Sequence, residues 1–183
     1  MNSKDYSKLS KEISYALRHA PWEFELELDD EGFTLIEPLL KSLREIEGWQ
    51  DITQDDVEKM ISYSHKKRHE IVGDKIRAFY GHSTPSKVMK EEAIPPMYLY
   101  HGTSPDYIND IRNEGLLPKS RQYVHLSQDM ETARLVGKRK NAFPVILTID
   151  TKMATEYGSK FYLGNEMVWL ADKISSNCIS FTE

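Results

Sequence analysis

The sequence predicts an α+β protein built in two parts, and three observations predict it. The first half carries three amphipathic helical patterns, each with its own start or stop signal. Two short runs around Gly73-Asp74 then read as a hairpin. Beyond residue 90 the pattern changes to short apolar runs rich in β-branched and aromatic residues, of which Val145-Ile146-Leu147-Thr148-Ile149-Asp150 is the clearest.

Leu9, Ile13, Ala16 and Leu17 share one face of a first helix. Pro21 disfavours helical geometry at Ala20, so the helix ends near Arg18-His19. Two cations there suit the negative end of a helix, and they equally suit an anionic ligand. Glu25-Leu26-Glu27-Leu28-Asp29 alternates and predicts a short extended segment, followed by a turn at Asp29-Asp30-Glu31-Gly32. Leu35, Ile36, Leu39, Leu40 and Leu43 predict a second helix over 33–43, with Pro38 in its first turn. Thr53 caps a third helix whose inner residues are Val57, Met60 and Ile61. Three helices followed by a hairpin is the order of a winged helix. That fold often handles nucleic acid, although fold alone does not give function. The polar, proline-containing stretch from Gly81 to Pro96 marks a boundary, and the parts are set at 1–90 and 91–183.

The second part is organised around Tyr98-Leu99-Tyr100-His101-Gly102-Thr103-Ser104-Pro105. A buried strand is expected to end in a corner where Gly102 admits a ligand close to the backbone. His101 and Thr103 supply polar groups there. Ser104 and Pro105 open a helix lined by Ile108, Ile111 and Leu116, with Gly115 as its cap. Tyr123-Val124-His125-Leu126-Ser127 is a strand, with Ser127 read as the N-cap of a helix that Gly137 stops. Phe161–Leu163, Met167–Leu170 and Ile179–Phe181 complete a compact mixed sheet, with Cys178 placed in the last strand.

Composition narrows the function classes. The chain has 183 residues, a net charge of −5 and a single cysteine. One cysteine allows neither an internal disulfide framework nor a cysteine-based zinc site, and an intracellular setting is expected. The first residues lead into a charged helix rather than an apolar signal core, and no run is long enough to cross a bilayer. The acidic balance argues against broad nucleic-acid affinity, yet His65-Lys66-Lys67-Arg68-His69 and Lys138-Arg139-Lys140 are basic clusters. Such runs are either solvated faces or a focused positive pocket in an acidic protein.

There is no phosphate loop of the P-loop kind, no His-Glu-x-x-His metal helix, no nucleophile elbow and no Rossmann glycine signature. What remains is a set of cations: Arg18 and His19 at a helix end, Arg68 before a hairpin strand, and Arg121 before the Tyr-Val-His-Leu-Ser run. Arginine suits phosphate because its planar fork donates two parallel hydrogen bonds and stays charged.

Taken together, Leu17-Arg18-His19-Ala20-Pro21, Asp30-Glu31-Gly32-Phe33, Lys66-Lys67-Arg68, Ile76-Arg77-Ala78 with Gly81-His82-Ser83, Tyr100-His101-Gly102-Thr103, Tyr123–Ser127 and Val168-Trp169-Leu170 resemble the NAD-dependent RNA 2′-phosphotransferases, in order and over nearly the whole chain. The resemblance implies a winged-helix lobe that receives RNA and a lobe similar to ADP-ribosyltransferases that binds NAD. It implies that Arg18, His19, Arg68 and Arg121 handle the transferred phosphate. His101, Gly102, Thr103 and Ser127, with His125 and Asp129, would hold NAD, and Arg77, His82 and Ser83 would contact RNA.

The implied reaction has two steps. An internal RNA 2′-phosphate attacks the NAD ribose and expels nicotinamide. The ribose 2″-hydroxyl then attacks the phosphate, releasing 2′-OH RNA and ADP-ribose 1″,2″-cyclic phosphate. Positioned arginines meet the needs of both steps. The expected protein is a cytoplasmic monomer that uses NAD, RNA and no metal or membrane. Two rivals stay open: an ADP-ribosyltransferase acting on a nucleic-acid terminal phosphate, and a non-catalytic RNA-binding winged-helix protein. Glu166 reads as a strand-edge carboxylate. Tyr80, where the family pattern has a polar residue, and Gly164–Met167 depart from that pattern and bear on substrate preference.

Overall fold

In a computed structural model that describes residues 3–181, the first compact unit ends at Met89 and the second begins at Lys90. Among the described residues there are six α-helices and two antiparallel sheets, one in each unit.

The N-terminal unit begins with α1 (Ser3–Arg18), whose Leu9, Ile13, Ala16 and Leu17 are fully buried. A short 3-10 turn follows at Pro21–Phe24. The stretch expected to be extended, 25–29, joins no sheet. Glu25 adopts a left-handed conformation and Leu26 is tied back to Pro21, so its alternation serves to bury Leu26 beside a turn. β1 (Phe33–Leu35) takes the first three residues expected in the second helix, and α2 (Ile36–Arg44) starts after it. Pro38 explains the shift. A helix begun at Phe33 would need an amide hydrogen at Pro38, whereas three residues into α2 none is required.

α3 (Gln54–Tyr63) starts at Thr53, which forms a reciprocal capping box with Asp56. β2 (His69–Val72) and β3 (Lys75–Ala78) form the expected hairpin, with Gly73 at positive φ in its two-residue turn. The sheet order is β1-β3-β2, and the buried faces of the three helices and β3 make one core.

The C-terminal unit is one six-stranded sheet of order β7-β8-β5-β4-β6-β9. Its strands are β4 (Tyr98–Thr103), β5 (Val124–Ser127), β6 (Val145–Asp150), β7 (Phe161–Asn165), β8 (Val168–Ala171) and β9 (Ile179–Phe181). The expected mixed sheet is corrected here, because all of its ladders are antiparallel. β5 and β6 run in the same direction but flank β4, so they never become neighbours.

Ser104 caps the turn opened by Pro105, and α4 (Ile108–Glu114) ends at Gly115, as the sequence predicts. Leu116 lies beyond that helix and bridges to Ile174. α5 (Met130–Gly137) is capped by Asp129 rather than Ser127, since Ser127 is the last residue of β5 and stays buried. α6 (Thr151–Glu156), capped by Asp150, was hidden by its short length. Cys178 closes a 3-10 turn just ahead of β9 instead of lying within it. No helix among the described residues is long and apolar enough to cross a membrane.

Candidate active site

Arg18, His19 and Arg68 line one groove of about 950 Å³ in the N-terminal unit. α1 delivers the first two at its C-terminal end, and the residue preceding β2 delivers the third. Lys11 and Lys66 line the same groove, and among the described residues no carboxylate does. In a chain of net charge −5 this is a focused positive site.

The groove's cations are held by neighbours. Arg18 donates from Nη2 to the carbonyl of Arg68 at 3.4 Å, and its guanidinium lies 5.3 Å from the ring centre of Tyr80. Lys66 Nζ lies 6.0 Å from that same ring. Tyr80 is buried and supplies an aromatic face to two groove cations. Arg68 donates from Nη1 to Ser64 Oγ at 3.4 Å.

His19 Nδ1 lies 2.8 Å from Ser83 Oγ, and the backbone N–H of Ser83 donates to the Arg18 carbonyl at 2.8 Å. Ser83 therefore fixes both the backbone and the ring at the end of α1. His82 is buried and packs against Gly32, and Arg77 is paired with Glu70 and lies 4.3 Å from the Phe33 ring centre. Neither lines the groove.

Sequence reasoning missed His69. This buried histidine stands next to Arg68 and shares a hydrogen bond at 3.0 Å with Ser14 Oγ. Burial, followed by the charges of Arg18 and Arg68, pushes it down to about 3. It stays neutral beside the charges of Arg18 and Arg68, and only its adjacency to Arg68 signals it in the sequence.

The C-terminal residues cluster on β4 and β5. His101 Nδ1 donates to the carbonyl of His125 at 2.8 Å, which fixes the tautomer and leaves Nε2 as an acceptor. Burial holds its pKa below the usual histidine range. Thr103 and Ser127 are buried.

At Gly102 a Cβ would lie 2.0 Å from the Ala133 carbonyl oxygen, so the missing side chain lets α5 pack closely on β4. Asp129 spends its carboxylate on capping α5, accepting from Thr132 N and Oγ1. Arg121 lies exposed in the turn before β5, its N–H bonded to the Pro118 carbonyl. Glu166 sits in the exposed two-residue turn between β7 and β8. Among the described residues no group of three His, Cys, Asp or Glu side chains is placed to hold a metal ion.

Residues 4–173 match the model of the RNA 2′-phosphotransferase, Tpt1 / KptA family. A probable RNA 2′-phosphotransferase of Bacillus thuringiensis subsp. konkukian is 56% identical, over 98% of this chain and 97% of the relative. One from Acetivibrio thermocellus is 55% identical over 97% of each chain, and one from Pyrococcus horikoshii is 40% identical over 94% of this chain and 97% of the relative. A match of this length and identity means that the chain belongs to the RNA 2′-phosphotransferase family.

Proposed function

We propose that this chain removes an internal 2′-phosphate from RNA with NAD as co-substrate, leaving a 2′-OH and releasing nicotinamide and ADP-ribose 1″,2″-cyclic phosphate. The observation that carries this reading is the groove lined by Arg18, His19 and Arg68, with no carboxylate among the described residues that line it. Cations converging on one space are costly unless an anion joins them, and a phosphate dianion balances two guanidinium groups. The helix and hairpin order of the N-terminal unit supports reading it as a winged helix that receives RNA. The antiparallel sheet centred on β4 supports an ADP-ribosyltransferase-like reading of the second unit.

His101 fits NAD through its Nε2, an acceptor suited to a ribose hydroxyl, with the Gly102 and Thr103 backbone beside it at the end of β4. When bound, NAD supplies an ADP-ribosyl group that takes the phosphate, with nicotinamide as leaving group. Arg18 and Arg68 orient the phosphate and stabilise charge on its oxygens. His19, steadied by Ser83, presents Nε2 as a further polar contact. Arg121 is the fourth cation assigned to this phosphate. On this reading the protein works as a cytoplasmic monomer.

The test mixes the protein with a short RNA bearing one internal 2′-phosphate, with and without NAD, and follows both products. NAD-dependent loss of phosphate with release of the cyclic product is the expected result. RNA left carrying ADP-ribose would instead indicate an enzyme that stops after the first step.

A further inference from the structure

We propose that the same groove contains a second subsite, in which an unpaired RNA base flanking the 2′-phosphate stacks on Tyr63. This rests on the reading of the groove as the RNA site. Tyr63, the last residue of α3, is 70% exposed. Its ring is not loose. It stacks on Tyr6 of α1 with centroids 5.5 Å apart and planes 21° from parallel. Tyr6 in turn packs against the helical core. The outer tyrosine is thus braced on one side and open to solvent, so little ordering cost remains when a flat group lands on it. Both tyrosines line the groove that holds Arg18, His19 and Arg68.

The groove between the two places is also built for a strand. Ser7, Ser10, Lys11 and Ser14 line it along one face of α1, at the helical spacing that continues to Arg18. From Tyr6 to Arg18 the helix rise gives about 18 Å, enough for more than one nucleotide. Hydroxyls and a lysine along this face suit a sugar-phosphate backbone. Aromatic rings accept any base, so the subsite is tolerant of sequence. It is intolerant of pairing, because a duplex already covers its base faces. The ligand class is therefore single-stranded RNA.

The experiment measures binding of a fluorescently labelled eight-nucleotide RNA carrying one internal 2′-phosphate, without NAD. Tyr63→Ala is expected to weaken binding by about five- to a hundredfold, the range for loss of one base-aromatic stack, and Tyr63→Phe to preserve it. Annealing the full complement is expected to abolish the difference between wild type and Tyr63→Ala. An abasic nucleotide at one flanking position is expected to weaken wild type and leave Tyr63→Ala unaffected.

Equal binding by wild type and Tyr63→Ala overturns the proposal. So does an equal effect of Tyr63→Ala on paired and unpaired RNA, or failure of wild type to bind the RNA. If phosphate removal proceeds normally while Tyr63→Ala binds like wild type, the subsite falls alone. If the Tyr63 pattern holds but no phosphate is removed, the groove binds RNA and the proposed reaction falls instead.

Discussion

Ser83 Oγ and His19 Nδ1 lie 2.8 Å apart, although 64 positions separate them in the chain. The same serine's N–H holds the carbonyl of Arg18. A single residue after the hairpin therefore sets the last turn of α1, where two of the groove's polar side chains emerge.

Ser83→Ala should leave the fold intact, since the contact is exposed. It should lower turnover roughly two- to tenfold, the worth of one ordinary hydrogen bond. A shift in the pH profile of turnover, and partial rescue by Ser83→Thr, would show that the ring of His19 has lost its orientation. An unchanged pH profile would limit Ser83 to its backbone role.

His69 should make stability depend on pH. Its folded pKa, about 3, lies below the unfolded value of 6.5. Between these values the unfolded chain binds a proton that the folded chain refuses, so stability falls as pH drops from 6.5 towards 3, by up to about 1.4 kcal/mol per pH unit. Asp29 and Asp56, with lowered pKa values, add their own loss only at more acidic pH. Urea unfolding of wild type and His69→Gln at pH 7.5 and pH 5 should show the smaller change in the variant.

Gly102→Ala should destabilise the protein by about 3 kcal/mol or more, because the new methyl meets backbone rather than a movable side chain. The measurement is urea unfolding without NAD. A variant as stable as wild type would mean that α5 moves aside readily.

Arg121→Ala should change stability by no more than about 0.5 kcal/mol, since the residue is exposed. On the proposed reaction it should reduce phosphate removal on the order of a hundredfold or more. Near-normal turnover would remove Arg121 from the reacting set.

Much of the chain was legible because local signals agreed with the fold. The caps at Thr53 and Ser104, the Gly73-Asp74 turn and the apolar run of β6 each specify their element within a few residues. Where the reading missed, a distant partner decided. Phe33–Leu35 is a strand because β3 offers it hydrogen bonds while Pro38 delays the helix. Ser127 looked like a cap, but its place opposite Val168 in the sheet passed that role to Asp129.

For the candidate site the division is sharper. The sequence by itself determined the family and the residue types that suit a phosphate: arginines, a histidine and neighbouring hydroxyls at defined spacings. Chemistry of that kind resides in the side chain and travels with the letter. Only the tertiary structure decided what each residue touches. It put Tyr80 beneath Arg18, His69 against Ser14, Ser83 on His19 and α5 against Gly102. These contacts join positions far apart in the chain, and the packing that brings them together has no local periodicity to be read.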